Sequence, residues 1–207
     1  MVFGRKISGI FPCALWRDLH SRAALPTTAL ITDIGNDLLF GVTPQTLVSW
    51  VEGCLERLVK VEAQIVVTLL PASSIETLGE RRFAFFRRML FPRSKLTLAD
   101  AKAHVREINE RLMMFDGSRN ISVIPVSGQW YGLDPIHLLR KTHRAAWPAI
   151  LAGWRAAGEP LQLRRASLFE IAYLSALAPL ERSQFGFTLH TVQPCGRFFD
   201  GTTISLY

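Results

Sequence analysis

The sequence predicts an α/β fold built on parallel strands. Three short runs rich in β-branched and aliphatic residues, Ala29–Ile34, Gln64–Leu70 and Ile121–Val126, have the length and composition of buried strands. Between them lie stretches with helical spacing of apolar residues. The connections are short, and strand–helix–strand with short connections is a parallel crossover unit.

Taken in order, Ile7-Ser8-Gly9-Ile10 reads as the end of a strand running into a loop. Pro12 sits where a helix can begin, with Ala14, Leu15, Trp16 and Leu19 as its apolar side. After the first long strand, Thr43-Pro44 is an N-cap followed by proline at the first helical position. Leu47, Val48, Val51, Cys54, Leu55 and Leu58 carry that helix to about Lys60. Pro71 ends the second strand, and Ser73-Ser74-Ile75-Glu76 has the pattern of a capping box opening another helix. Within Arg81–Leu90 a basic face accompanies an aromatic one. It reads as a surface helix with Phe83, Phe86 and Leu90 in the core. A flap over a cleft and weak contact with a membrane surface are its alternatives. Thr97–Phe115 is a long helix with Ala101, Val105, Ile108 and Leu112 on one face, closed by Asp116-Gly117. A third strand follows, then a loop to Leu133, then a helix opening at Asp134-Pro135 and carrying Leu138, Leu139, Trp147, Ile150 and Leu151. Ala166–Leu177 reads as a helix, and Gly201–Tyr207 as a final edge strand. The expected division is an α/β domain over residues 1–155 and a helical or irregular appendage over 156–207.

Composition narrows the function classes. The chain has 207 residues, 49% of them hydrophobic and 20% charged, enough for one full core. No apolar run reaches the length of a membrane span, and no signal peptide is visible, so a cytoplasmic location is expected. Cys13, Cys54 and Cys195 are an odd number without metal-ligand spacing, and read as packing or idle thiols in a reducing compartment. Neither metal nor cofactor is expected. The net charge of +7 favours anionic partners. No basic tract or recognised motif marks nucleic-acid binding, and the partner expected is a small-molecule or acylated substrate.

Two stretches carry candidate chemistry. Gly35-Asn36-Asp37 closes the first long strand with turn chemistry. Ligands of open parallel sheets bind at that carboxyl end, where the Asn36 amide can donate to an oxyanion. Asp134-Pro135-Ile136-His137 sets a carboxylate three residues ahead of a histidine. An acid so placed can hold one ring nitrogen, leaving the other to act as a base. Both stretches also have bland readings: Asn36 as a turn residue, Asp134 as an N-cap with Pro135 behind it, and His137 on the surface of a first turn. His143 has no preceding acid and reads as surface.

In this order the motifs resemble the SGNH or GDSL hydrolase superfamily, over roughly residues 7–150. Ile7-Ser8-Gly9 is similar to the block whose glycine N–H serves the oxyanion hole. Gly35-Asn36-Asp37 resembles the block that supplies an Asn donor to the same hole. Asp134-Pro135-Ile136-His137 resembles the block that gives acid and base. The resemblance implies a three-layer α/β/α sandwich with a mainly parallel, flavodoxin-like sheet. It also implies acyl-ester cleavage by Ser-His-Asp chemistry, with His137 and Asp134 as base and orienting acid and with Asn36 and Gly9 as oxyanion donors.

The block that carries the nucleophilic serine has no counterpart. Only eight residues precede Gly9. One helical turn alone takes about four, so a strand, a serine turn and a helix do not fit. The first strand of the fold is thus missing, and the chain is expected to start at an internal Met of a longer product. The alternative is a catalytically inactive binding protein on the same fold. A further reading is an unrelated doubly wound binding domain in which the motifs are coincidental. Ser8, Ser73, Ser74 and Ser127 have no nucleophile-elbow context.

Overall fold

The structure, a computed structural model, describes residues 9–118, 120–132, 137–154, 163–184 and 187–207, without the side chains of Leu90, Ser183 and Gln184. In chain order the elements are α1 (Leu15–Ser21), β1 (Thr28–Ile31), a 3-10 helix (Ile34–Phe40), α2 (Pro44–Val59) and β2 (Gln64–Thr68). Next come α3 (Ala72–Glu76), α4 (Glu80–Leu90), α5 (Leu98–Met113) and β3 (Ile121–Ile124). Short 3-10 turns at Gly128–Trp130 and Arg140–Thr142 precede α6 (His143–Ile150), and another spans Leu151–Trp154. The last elements are α7 (Leu168–Ala176), β4 (Glu181–Gln184), β5 (Phe187–His190), β6 (Gly196–Arg197) and β7 (Thr203–Ile204).

The chain clusters into two compact units, Ala24–Gln162 and Met1–Ala23 with Leu163–Tyr207. In the first unit β1, β2 and β3 form a parallel sheet in the order β1-β2-β3. The mixed α/β class and the parallel sheet agree with the sequence reading. β2 lies in the middle, and its Ile65, Val66 and Val67 are almost wholly buried. Side chains alternate along a strand. Val66 packs with Ala146 and Ile150 of α6, and with Leu30, Ile124 and Trp154 around them. Ile65, Val67, Ile121 and Val123 point to the other face and are buried as well.

The two long helices follow their sequence signals. Thr43 Oγ1 accepts from Thr46 N–H at 3.2 Å, with Pro44 at the first position of α2. Thr97 Oγ1 caps α5 through Asp100 N–H at 3.1 Å. The buried faces are Leu47, Val48, Val51, Cys54, Leu55 and Leu58 on α2, and Ala101, Val105, Ile108 and Leu112 on α5. The two helices pack on each other.

Three local expectations are corrected. The Ser73–Glu76 pattern is not a capping box: Pro71 holds the N-cap of α3, with no side-chain bond. Glu76 instead faces α5, with Arg106 Nε at 2.9 Å and Lys102 Nζ at 3.7 Å from its carboxylate. The expected helix opening at Asp134-Pro135 lies outside the described residues, and the helix is not formed at Leu138 and Leu139. Leu138 bridges Tyr131 in antiparallel fashion, and Leu139 N–H donates to Trp130 C=O at 2.8 Å. That pairing takes backbone groups of Leu138 and Leu139 that a helix would use, and α6 starts at His143. The helix expected from Pro12 begins at Leu15, which leaves Cys13 in the turn before α1, its thiol donating to Ile10 C=O.

In the second unit Tyr207 Oη donates to Asp18 Oδ2 at 2.8 Å, which ties the end of the chain to α1. That bond, reinforced by Arg17, holds the Asp18 carboxyl below its usual range. The expected 1–155 body thus differs in its first segment, Met1–Ala23, which groups with the C-terminal residues. β4 and β5 pair as an antiparallel hairpin, and so do β6 and β7. A true capping box opens α7. Ser167 Oγ accepts from Glu170 N–H, and the Glu170 carboxylate accepts from Ser167 N–H at 2.7 Å. Glu170 also pairs with Arg164. The Arg164 guanidinium first, then the Ser167 N–H, pull the Glu170 pKa down to about 2. A depressed carboxylate pKa stabilises above the unfolded value and loses that stability as pH falls through the folded one. The second unit is therefore expected to weaken between about pH 4.5 and pH 2. Glu170→Gln removes that acid step, which amide chemical shifts of α7 recorded against pH will show.

Among the described residues no helix is long and apolar enough to cross a membrane.

Candidate functional site

β1 ends at Ile31, and Thr32 and Asp33 carry the chain past the sheet's carboxyl edge. Asp33 sits in the left-handed region (φ 57°), which Asp tolerates better than most residues. The backbone reversal there launches the 3-10 helix, with Gly35, Asn36 and Asp37 in its first turn. The expected simple turn is thus a helical one. Gly35 packs closely: a Cβ there would stand 2.8 Å from Leu70 Cδ2, so the Leu70 side chain would have to shift.

The carboxyl end of β2 is pinned from two directions. Thr68 Oγ1 donates to Thr32 Oγ1 at 3.1 Å, linking the two strand ends. Asn109, on α5, donates through Nδ2 to Leu70 C=O at 3.0 Å and accepts from Leu70 N–H at 2.8 Å. Leu70 itself is buried. One amide thus satisfies both backbone groups of the residue that closes the strand.

These strand ends border an apolar cavity of about 100 Å³. Asn36, Asp33, Thr32 and Thr68 line it from the sheet edge, and Tyr131 from the loop after β3. The remaining wall is apolar apart from Arg87 of α4. Leu70, Ile75 and Leu78 follow β2, Phe83 and Phe86 come from α4, and Ala101 and Val105 from α5. The Tyr131 hydroxyl is pushed up to about 12, by burial first and then by the Asp33 carboxylate. It is therefore neutral at physiological pH.

α4 covers this cavity, which corrects the expectation of a surface helix with a core face. Phe83 and Phe86 are half-buried and line the cavity, and the Leu90 side chain lies outside the described residues. No described side chain of α4 is buried. Arg82 Nη2 donates to Gly132 C=O at 2.7 Å, and Arg87 Nη1 to Leu96 C=O at 2.9 Å. Arg81, Phe85, Arg88 and Met89 face outward.

The expected site residues are placed unevenly. Asn36 is half-buried and lines the cavity. His137 is exposed and is not among the described residues that line it. Its neighbour Leu138, however, is bridged to Tyr131, which does line it. Asp134 lies outside the described residues. Gly9 is exposed and belongs to the unit formed with the C-terminal segment. No serine lines the cavity among the described residues, and among them no group of His, Cys, Asp and Glu could hold a metal ion. Asn109 was not singled out from sequence as part of a site, and a cover at α4 was weighed only as the flap alternative for Arg81–Leu90. Asn109 had one readable sign, a short polar side chain beside Ile108 on a strongly apolar helix face.

No protein-family model, no curated protein and no solved structure matches this chain.

Proposed function

We propose that the Ala24–Gln162 unit is the binding half of an SGNH-type ester hydrolase site, on a flavodoxin-like three-layer fold. The observation that carries this reading is Asn36, an amide donor at the carboxyl end of a parallel strand, lining an apolar cavity. Such a donor stabilises the oxyanion that forms when an ester carbonyl is attacked. The Tyr131–Leu138 bridge supports it, because it anchors the His137 segment next to a residue of the cavity wall. His137 is read as the base, oriented by Asp134.

The nucleophile is read as arriving on a further strand. The pairing of Thr28 with Gln64 turns the N–H and C=O groups of Thr27, Ala29 and Ile31 toward β2. Those of Thr28 and Leu30 then point to the outer edge, since alternate residues of a strand address opposite neighbours. Among the described residues no strand pairs there. A strand added at this edge would bring its own carboxyl end close to Asn36.

A second reading is a binding domain without catalysis. Its support is the exposure of His137 and the lack of a serine among the described lining residues. The coding sequence ahead of the Met1 codon separates the two. An in-frame strand followed by Gly-Asp-Ser supports the hydrolase, and a frame without one supports the binding domain. Residues 1–207 alone are expected not to turn over p-nitrophenyl butyrate. In a product that carries the serine strand, Asn36→Ala is expected to lower kcat by about a hundredfold or more. Unchanged turnover in that variant overturns the assignment of Asn36.

A further inference from the structure

We propose that the outward face of α4, with the turn that follows it, docks on an anionic lipid surface. This face lies outside the cavity and needs no part of the hydrolase reading.

The first observation is charge. Residues 80–95 carry five arginines and one lysine, in pairs and singly, against Glu80 alone. That is a net of +5 in a chain whose whole net charge is +7. Arg82 and Arg87 are turned onto the carbonyl oxygens of Gly132 and Leu96. Arg81, Arg88, Arg93 and Lys95 are exposed, and no ion pair among the described residues engages them. The second observation is the outward stripe. Positions 81, 85, 88 and 89 fall on one side of a helix. Phe85 is 61% and Met89 56% exposed, between and beside the two arginines. At the carboxyl end of α4, Phe40 is 62% exposed and stands edge-on to Phe91, 5.0 Å between ring centroids. Apolar groups on such a face leave water when they enter the headgroup layer, while the arginine heads stay at the level of the phosphates. The third observation separates the anionic partners. Firm attachment to a lipid surface takes two signals, one apolar and one polybasic, and α4 sets both on one face. A base edge is read in addition by amide side chains, and residues 80–95 hold no Asn or Gln.

The test is co-flotation of the 207-residue protein with vesicles of phosphatidylcholine alone and of phosphatidylcholine mixed with phosphatidylserine. Binding is expected to the mixed vesicles only, and it should weaken as salt screens the charges. A Lys or Arg near an anionic leaflet is worth ~1 kcal/mol, or about fivefold, so Arg81→Gln with Arg88→Gln is expected to weaken partition by about twenty-five-fold. Arg81→Lys with Arg88→Lys keeps the charge and should retain most of the binding. Phe85→Ser with Met89→Ser is expected to weaken partition by about tenfold or more at every salt concentration, because the apolar contribution is not screened. All four positions face outward, and thermal unfolding confirms that each variant is folded.

No binding to the mixed vesicles, equal binding to both kinds, or undiminished binding by the serine variant overturns the proposal. So does a DNA oligonucleotide or a polyglutamate peptide that binds more tightly than the mixed vesicles and is released by the Arg81→Gln, Arg88→Gln variant; the face then serves a nucleic acid or an acidic protein. Turnover of a soluble ester by the serine-bearing product is independent of vesicles, so the docking face and the hydrolase reading fail separately.

Discussion

Asn109→Ala is expected to destabilise the Ala24–Gln162 unit by about 1–3 kcal/mol, because it leaves the buried Leu70 N–H without its partner, while Leu70 C=O keeps the bond it accepts from Ala72 N–H. Leu70 is only 6% exposed, so little water can replace the lost amide. The loss falls where β2 becomes the cavity wall, since Leu70 lines the cavity and touches the Gly35 position. Asn109→Asp separates the two bonds. Its carboxylate still accepts from Leu70 N–H but cannot donate to Leu70 C=O, and two acceptors then face each other. Urea unfolding will give the ordering: wild type most stable, then both variants well below it. An Asn109→Ala protein within 0.5 kcal/mol of wild type would mean that the clamp contributes nothing beyond what solvent supplies.

Gly153→Ala is expected to cost about 1–3 kcal/mol through overpacking, and Gly153→Val more. A Cβ at this position would stand 2.7 Å from Val66 Cγ2 and 3.0 Å from Ser122 Cβ. Val66 is completely buried in the central strand and cannot retreat. The 3-10 turn Leu151–Trp154 therefore has to lift from the sheet. Lifting it strains the bond from Trp154 Nε1 to Ala29 C=O, 3.0 Å in the native chain. Quenching of tryptophan fluorescence by iodide, together with the melting temperature, will report both effects. A Gly153→Ala protein with native stability would show that this face of the sheet is looser than its distances indicate.

The sequence carried much of the first unit and little of the second. β2 was legible as an unbroken apolar run because both of its faces are buried, and the inner faces of α2 and α5 because burial imposes a period of 3.6. α2 and α5 carried in addition the Thr caps at their first turns. The capping-box pattern misled at Ser73, where Glu76 found partners on α5, and went unremarked at Ser167, where it forms. A local pattern states what a segment can do and not what a distant lysine or arginine will offer it. The β4–β5 hairpin left no periodic trace because both faces of β5 are exposed, so no alternation was imposed. At the site, Asn36 was legible as the donor at a strand end. The cavity beside it was not, because its wall is assembled from α4, α5 and two strand-end loops far apart in the chain. At Leu138 and Leu139 the expected helix was overridden by the pairing of Leu138 with Tyr131, a contact that no propensity encodes.

α4 is moored by guanidinium groups on carbonyl oxygens, with no described side chain sunk in the core. An element with so little buried surface opens at the low end of the free-energy range for local unfolding. Its departures then widen a hollow that is already reached past the exposed Thr32 and Asp33. A guest resting against Phe83 and Phe86 adds weight to the shut form, so occupancy and closure reinforce each other.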